Sequence, residues 1–141
     1  MTPEQSLVQG FARGSSALES LRGLTGGVTS THLRSVILSG AAFDALVEGL
    51  ADPHPRIRWW CIQVLDHVPD PRALAAIAPL LDDPVPRVRR NAAHALGCVI
   101  CKPAWEGALP DGIADKLARL ASDDPSPKVR AEAAHAISCR T

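Results

Sequence analysis

The sequence predicts an all-α protein, a short solenoid of about three helical hairpins, and three observations carry this prediction. An Asp-Pro-x-Pro pattern occurs three times along the 141-residue chain. Each copy is followed by apolar residues at helical spacing. The hydrophobic fraction is 46%, but only 4% of the residues are aromatic, so the core is built mainly from Ala, Leu, Ile and Val, which suits closely packed helices.

The repeated pattern is a seven-residue turn motif. It reads Asp-Pro-His-Pro-Arg-Ile-Arg from Asp52, Asp-Pro-Val-Pro-Arg-Val-Arg from Asp83 and Asp-Pro-Ser-Pro-Lys-Val-Arg from Asp124. The first two copies start 31 residues apart and the last two 41 apart. In each copy we expect the Asp to cap a turn or a new helix, while the prolines end the preceding helix and preset the next first turn.

A helix with an apolar stripe is expected after each turn, because apolar residues recur there at i, i+4, i+5 and i+8. The stripe consists of Ile57, Cys61, Ile62 and Leu65, then Val88, Ala92, Ala93 and Leu96, then Val129, Ala133, Ala134 and Ile137. A second set of helices, rich in Ala and Leu, is expected over residues 41–50, 72–81 and 112–121. Each unit is then a helical hairpin, and such hairpins have to stack to bury their apolar faces.

The predicted organisation is one compact domain with a helical cap at its start. The cap covers residues 1–40, the repeats cover residues 41–69, 70–101 and 111–139 of the segment 41–141, and an insertion occupies residues 102–110. No capping helix follows Ile137, the last stripe position. We therefore expect an open final face, which a partner, a second copy or polar side chains could cover.

The stretch Pro-Arg-Val-Arg-x-x-Ala-Ala-x-Ala-Leu that begins at Pro86 resembles the HEAT repeat, and the short period resembles its phycobilisome-lyase type. The resemblance spans about residues 41–139. It implies a right-handed α-solenoid and a recognition module, and fold alone does not fix chemistry. It also implies a structural ladder between repeats, made by the pairs Asp52/Arg58, Asp83/Arg89 and Asp124/Arg130.

The charge balance and the lack of targeting signals limit the possible partners and the location. Fifteen basic residues balance fifteen acidic ones, so no global positive field attracts a polyanion. No apolar run approaches the length of about 20 residues that crosses a bilayer, and the N-terminus lacks a signal-peptide pattern. We expect a soluble cytoplasmic protein that does not contact membrane, with its four cysteines as thiols.

A partner-binding groove is predicted where outward positions of the second helices line up across repeats. It comprises Trp60, Gln63, Asn91, His94, Glu132 and His135. These residue types are more varied than the Lys, Glu and Arg of a solvated face, which indicates recognition, although an ordinary surface is the alternative. Adjacent positions of a helix point about 100° apart, so one ring of Trp59 and Trp60 is expected to be exposed, as interface anchors are.

Metal binding and catalysis are not predicted. His94, Cys98 and Cys101 share one helix face, but they supply at most three ligands in one repeat, and the cysteines could equally be small buried hydrophobes. The Cys98-x-x-Cys101 pair lies at a helix C-terminal end, away from the helix N-terminus that redox dithiols use. There is no glycine-rich phosphate loop, strained serine elbow or carboxylate pair outside the turns, so we expect no cofactor and no enzyme.

Two functions of different class follow. The first is a non-catalytic scaffold or adaptor that binds a protein or peptide in the groove. The alternative is a nucleic-acid-binding module like some HEAT-like DNA glycosylases, which would use a basic edge made of Arg56, Arg58, Arg87, Arg89, Arg90, Lys128 and Arg130. Six Arg and five Asp lie between Asp52 and Arg90, so this edge carries its own neutralising charge. An accessory role in tetrapyrrole attachment is suggested only by the family's name.

Overall fold

Helices account for nearly all of the chain that the computed structural model describes, which is residues 41–66, 71–97 and 111–140. The chain divides into two compact units, Met1–Val68 and Pro69–Thr141. The first unit contains α1 (Ala41–Gly49) and α2 (Pro55–Asp66). The second contains α3 (Pro71–Ile77), the 3₁₀ helix η1 (Ala78–Asp82), α4 (Pro86–Gly97), α5 (Ile113–Asp123) and α6 (Pro127–Arg140).

The predicted fold class is confirmed: the described residues form helices and turns and include no strand. The predicted cap (1–40) and insertion (102–110) lie outside the described residues, as do Cys98 and Cys101. The single domain and the repeat boundaries stay predictions. The division between the two units falls next to the predicted start of the second repeat at residue 70.

Each unit has an apolar core between its helices. In the first unit α1 packs on α2, and the stripe residues of α2 are buried together with Phe43 and Leu46 of α1 and with Leu50, which directly follows α1. In the second unit α4 packs on η1 and α6, and α5 packs on α6. All four stripe residues of α4 are buried there. The i, i+4, i+5, i+8 pattern therefore identifies the inward face of α2 and of α4.

The helix predicted over residues 72–81 is divided in the structure. An α-helix ends at Ile77 and a 3₁₀ helix continues from Ala78 to Asp82, with Pro79 in the first turn of the 3₁₀ segment. Proline has no backbone N–H and its ring clashes with the carbonyl of residue i−4. The α-helical ladder cannot run through Pro79, and the chain tightens to reach the next turn.

The third stripe differs from the prediction. Val129 and Ala133 are buried in α6, whereas Ala134 is exposed and Ile137 is half-buried. Ala136 takes a buried place instead. Ala93 and Leu96 hold the equivalent positions in α4 and are fully buried. Burial of these two positions requires a neighbour on the far side, and no described element lies against α6 there.

Helices α4 and α6 make a close approach at Gly97, the last residue of α4. A Cβ at this position would overlap the Cβ of Ala136 and lie 2.5 Å from its Cα. Glycine and alanine allow the two backbones to come together, and this contact fixes how the second helices of consecutive repeats are set against each other.

Candidate functional site: the second-helix surface and the turn ladder

The three Asp-Pro turns fold in the same way. In each, the Asp Oδ1 accepts a hydrogen bond from the backbone N–H two residues later, an Asx turn. The bonds run from the N–H of His54 to Asp52 (2.8 Å), of Val85 to Asp83 (2.9 Å) and of Ser126 to Asp124 (2.9 Å). The helix begins at the second proline of each copy. The Asp therefore caps the turn that precedes the helix.

The arginine six residues after each Asp ties the first helical turn to the same turn motif. Its Nη1 donates to the backbone carbonyl of the Asp. These distances are 2.8 Å for Arg58, 2.9 Å for Arg89 and 2.6 Å for Arg130. The aspartate and arginine of each copy are thus joined through the backbone carbonyl of the aspartate.

One ladder contact joins consecutive repeats within the second unit. Arg89 Nε donates to Asp124 Oδ2 at 2.8 Å, and its Nη2 donates to Asp124 Oδ1 at 3.0 Å. The side chains are 12% and 3% exposed. This two-pronged geometry gives a charge-assisted bond its greatest strength and specificity. The guanidinium of Arg89 therefore links its own turn, through the carbonyl of Asp83, to the turn of the next repeat.

The environment of Asp124 keeps its carboxyl ionised. Burial by itself raises the pKa of Asp124, but the hydrogen bonds from Arg89 and Ser126 and the charges of Arg89 and Arg130 outweigh burial and lower it below its ordinary value. The ionised carboxylate is then a fixed part of the turn, which agrees with a structural role.

The predicted groove residues of the second unit are joined by one bond between repeats. His94 Nδ1 of α4 lies 2.8 Å from Glu132 Oε1 of α6. Arg90 Nε lies 3.9 Å from Glu132 Oε2. The His94 side chain is 41% exposed and that of Glu132 is 18% exposed. These two predicted residues therefore meet on a surface that solvent reaches.

The other groove residues lie in different surroundings. Asn91 is buried, which removes it from a contact surface, whereas His135 is exposed. His135 Nε2 lies 3.4 Å from Cys139 Sγ, one turn further along α6. Trp60 and Gln63 are half-buried on α2 of the first unit. A continuous groove from α2 to α6 stays a prediction.

The two tryptophans do not divide into one exposed and one buried ring, as the sequence suggested. Trp59 and Trp60 are both half-buried, and their rings stack with centroids 6.0 Å apart. The Nε1 of Trp60 is buried with no hydrogen-bond partner among the described residues. Stacking lets each ring cover part of the other, so neither is fully exposed.

Three of the seven cations of the predicted basic edge form contacts inside the fold. Arg58, Arg89 and Arg130 are partly buried and donate to carbonyl oxygens of the turns. Four cations of this edge are exposed: Arg56, Arg87, Arg90 and Lys128. Interleaved turn carboxylates and the contact of Arg90 with Glu132 reduce the positive field of this surface.

Two of the four cysteines, Cys61 and Cys139, lie in the described part of the chain. No group of three His, Cys, Asp or Glu side chains there could hold a metal. Cys61 and Cys139 are free thiols. Burial, followed by the charge of Asp52, raises the pKa of the Cys61 thiol far above its usual range, so it stays protonated. The predicted set of His94, Cys98 and Cys101 extends beyond the described residues.

Two pairs were missed from the sequence. One is the bond between His94 and Glu132. Aligning the repeats makes His94 equivalent to His135, whereas the bond joins His94 to Glu132, three residues before His135. The other is an ion pair between Lys116 of α5 and Asp82 of η1. Asp82 directly precedes the turn aspartate Asp83. A cation 34 residues later offered no local signal that could have identified its partner.

Comparison with known proteins supports the resemblance of the repeated turns. A family model described as HEAT repeats matches residues 43–138, which is more than half of the chain. No curated protein and no solved structure gives a match. Within the described residues, no helix has the length and apolar character needed to cross a membrane.

Proposed function

Because this chain belongs to the HEAT-repeat family, we propose that it is a non-catalytic scaffold or adaptor that binds a protein or peptide along the surface of its second helices. HEAT repeats generally serve as protein-interaction scaffolds. The proposed contact residues are Trp60, Gln63, His94, Glu132 and His135. Asn91 is not among them because it is buried.

The observation that carries the proposal is the bond between His94 and Glu132. It fixes two polar side chains from consecutive repeats on a solvent-accessible surface before any partner arrives. Pre-ordered side chains lose less conformational entropy on binding than mobile ones, so they favour recognition. The half-buried Trp60 offers the kind of aromatic anchor that dominates many interfaces.

The absence of catalysis is part of the proposal. Two hollows in the second unit have volumes of about 270 and 500 Å³, and the charged side chains of Asp82, Lys116 and Arg119 line both of them. Ligand pockets of enzymes are usually apolar with a few converging polar groups. The buried thiol of Cys61 is protonated, which makes it a poor nucleophile.

Two finer assignments belong to the same proposal. The short repeat period supports placing the repeats in the phycobilisome-lyase type, which by itself assigns no activity. Free thiols at Cys61 and Cys139 support a cytoplasmic location, since reducing compartments keep cysteines in this form.

The test begins with affinity capture from the native host and identification of the partner by mass spectrometry. The partner's affinity is then measured for the wild type and for His94→Ala, Trp60→Phe and Gln63→Ala. We expect at least a tenfold loss for His94→Ala, about 1.4 kcal/mol, with unchanged circular dichroism. Arg119→Ala, an exposed position on α5, is the matched control and should bind as the wild type does.

The nucleic-acid alternative makes an opposite prediction for the same samples. Binding through phosphates falls steeply as salt rises, because neutralised phosphates release counterions. If duplex DNA or RNA binds tightly with that salt dependence, and Arg87→Glu with Arg90→Glu abolishes it while His94→Ala does not, the scaffold proposal is wrong. Weak nucleic-acid binding near physiological salt, together with loss of the protein partner in His94→Ala, supports it.

A further inference from the structure

Two metal-ligating side chains converge on the surface of α6. His135 Nε2 lies 3.4 Å from Cys139 Sγ, which is four residues and about one helical turn further along the chain. His135 is exposed and Cys139 is half-buried. Both side chains belong to one helix, so the helix itself places them on the same face.

The separation of these two atoms fits a shared metal ion. Zinc binds an imidazole nitrogen at about 2.0–2.1 Å and a thiolate sulfur at about 2.3 Å, usually in tetrahedral geometry. Two such ligands of one ion are then about 3.5 Å apart. Because His135 Nε2 and Cys139 Sγ are already 3.4 Å apart, an ion that binds both requires little movement of either side chain. Two ligands at i and i+4 on a helix also form part of known zinc motifs.

Solvent reaches this position even when a neighbouring repeat is present. His94 occupies the equivalent place in α4, and its side chain is 41% exposed although α6 packs on α4. Around His135, the exposed residues of α6 are small: Ala131, Ala134 and Ser138. They leave room for an ion and for the water molecules that complete its coordination.

The chain supplies two ligands to this site. Glu132, three residues before His135, already has its Oε1 2.8 Å from His94 Nδ1. No set of three side chains that could hold a metal occurs within residues 41–66, 71–97 and 111–140. Structural zinc sites use four protein ligands, and catalytic sites use three. A site with two ligands therefore binds metal reversibly, which distinguishes the ion from a resident cofactor.

We propose that His135 Nε2 and Cys139 Sγ form an open, exchangeable site for a thiophilic divalent metal ion such as Zn²⁺, with water in the other coordination positions. The thiol releases its proton to solvent as the sulfur–metal bond forms, and the neutral imidazole binds through a nitrogen lone pair. Thiolate and imidazole favour zinc over Mg²⁺ and Ca²⁺, which prefer oxygen ligands. The site is independent of the proposed scaffold function, because the ion binds without a protein partner.

Titration of the full chain with Co²⁺ tests this site. A thiolate bound to Co²⁺ gives a charge-transfer absorption band in the near ultraviolet, and Zn²⁺ removes the band when it displaces Co²⁺. The titration compares the wild type with His135→Ala and Cys139→Ser. The matched controls are Cys61→Ala, which removes the other described thiol, and His54→Ala, which removes another exposed histidine. Circular dichroism checks that each variant is folded.

A second series uses Cys98→Ser with Cys101→Ser as its background, so that thiols outside the described residues contribute nothing. We expect one Co²⁺ per chain in this background, with a Kd of about 10 µM, much weaker than that of a four-ligand zinc site. Cys139→Ser should abolish the band, and His135→Ala should weaken binding at least tenfold. Zn²⁺ should displace Co²⁺, whereas a large excess of Mg²⁺ or Ca²⁺ should not.

Three outcomes would overturn the proposal. The band could persist in Cys139→Ser, or His135→Ala could bind Co²⁺ as tightly as the wild type does. The chain could also bind one ion per two molecules, in which case a second copy supplies the remaining ligands and the site is not open. If the double-serine background does not fold, the difference between the wild type and Cys139→Ser decides the same question. No outcome involves a protein partner, so failure here leaves the scaffold proposal standing.

Discussion

Replacing Arg89 with Ala tests the contact that joins consecutive repeats. The substitution removes both bonds to the Asp124 carboxylate and the bonds to the carbonyls of Asp83 and Pro84. Asp124 keeps the N–H of Ser126 and the nearby charge of Arg130. Breaking a buried ion pair costs about 3–5 kcal/mol, and an exposed pair contributes about 0–1 kcal/mol. The pair is only slightly exposed but Arg130 compensates in part, so we expect about 2–4 kcal/mol.

Urea unfolding followed by circular dichroism at neutral pH measures this cost. Lys128→Ala serves as the control, because Lys128 is an exposed cation at a neighbouring register position. It should change the free energy of unfolding by less than about 0.5 kcal/mol. If Arg89→Ala behaves like this control, the two-pronged contact with Asp124 does not stabilise the fold and the reasoning from its burial is wrong.

The same contact predicts a dependence on pH. The folded-state pKa of Asp124 is lowered, so its ionised form stabilises the fold at pH values above the unfolded pKa of about 3.9. That stability is lost as the pH falls through the folded pKa. Asp124→Asn should therefore be less stable than the wild type near pH 6, and the difference should shrink toward pH 3. A difference that stays constant over this range would contradict the lowered pKa.

Two further predictions concern packing and thiol chemistry. Gly97→Ala should destabilise the fold by about 1–3 kcal/mol in urea unfolding, because overlap with Ala136 outweighs the gain of about 1 kcal/mol in helix propensity. Adding Ala136→Gly to this variant should recover part of the lost stability. If Gly97→Ala stabilises the fold, the two helices separate easily at this contact. Iodoacetamide at neutral pH should modify Cys139 in the native protein and leave Cys61 unmodified, since Cys61 is buried and protonated. Peptide mapping by mass spectrometry measures the modification of each cysteine. Equal modification of both would mean that α2 opens readily.

The elements that the sequence predicts well are those fixed by local chemistry. An Asp-Pro-x-Pro turn sets its own hydrogen bonds within a few residues, so its three copies can be identified without knowing what packs on them. The start of α4 at Pro86 and the ends of α1 and α5 follow from the same turns. The division of the predicted helix at Pro79 is also local, and the rule that proline interrupts an α-helix would have found it.

The sequence does not reveal which apolar helix faces are buried, because burial depends on whether another helix packs against them. Ala93 and Ala134 occupy the same place in the same pattern, yet the first is fully buried and the second is exposed. No property of the residue distinguishes them, because the difference lies in whether another helix covers that side. The prediction that Ala134 and Ile137 are buried is wrong, and the error is informative. It identifies a helix face that has the apolar pattern of a buried face but is partly exposed to solvent.

The candidate site shows the same limit in its polar contacts. Aligning repeats placed His94 beside His135 and Asn91 beside Glu132, but the contact formed is the diagonal one between His94 and Glu132. Which positions meet depends on how far one helix slides and turns against the next, and in this unit the close approach of Gly97 and Ala136 sets that relation. A larger residue at Gly97 would separate α4 from α6 and would change which side chains pair on the surface between them. The close contact between Gly97 and Ala136 thus decides which polar groups a partner would meet. Gly97→Ala should therefore alter binding through His94 as well as the stability of the fold.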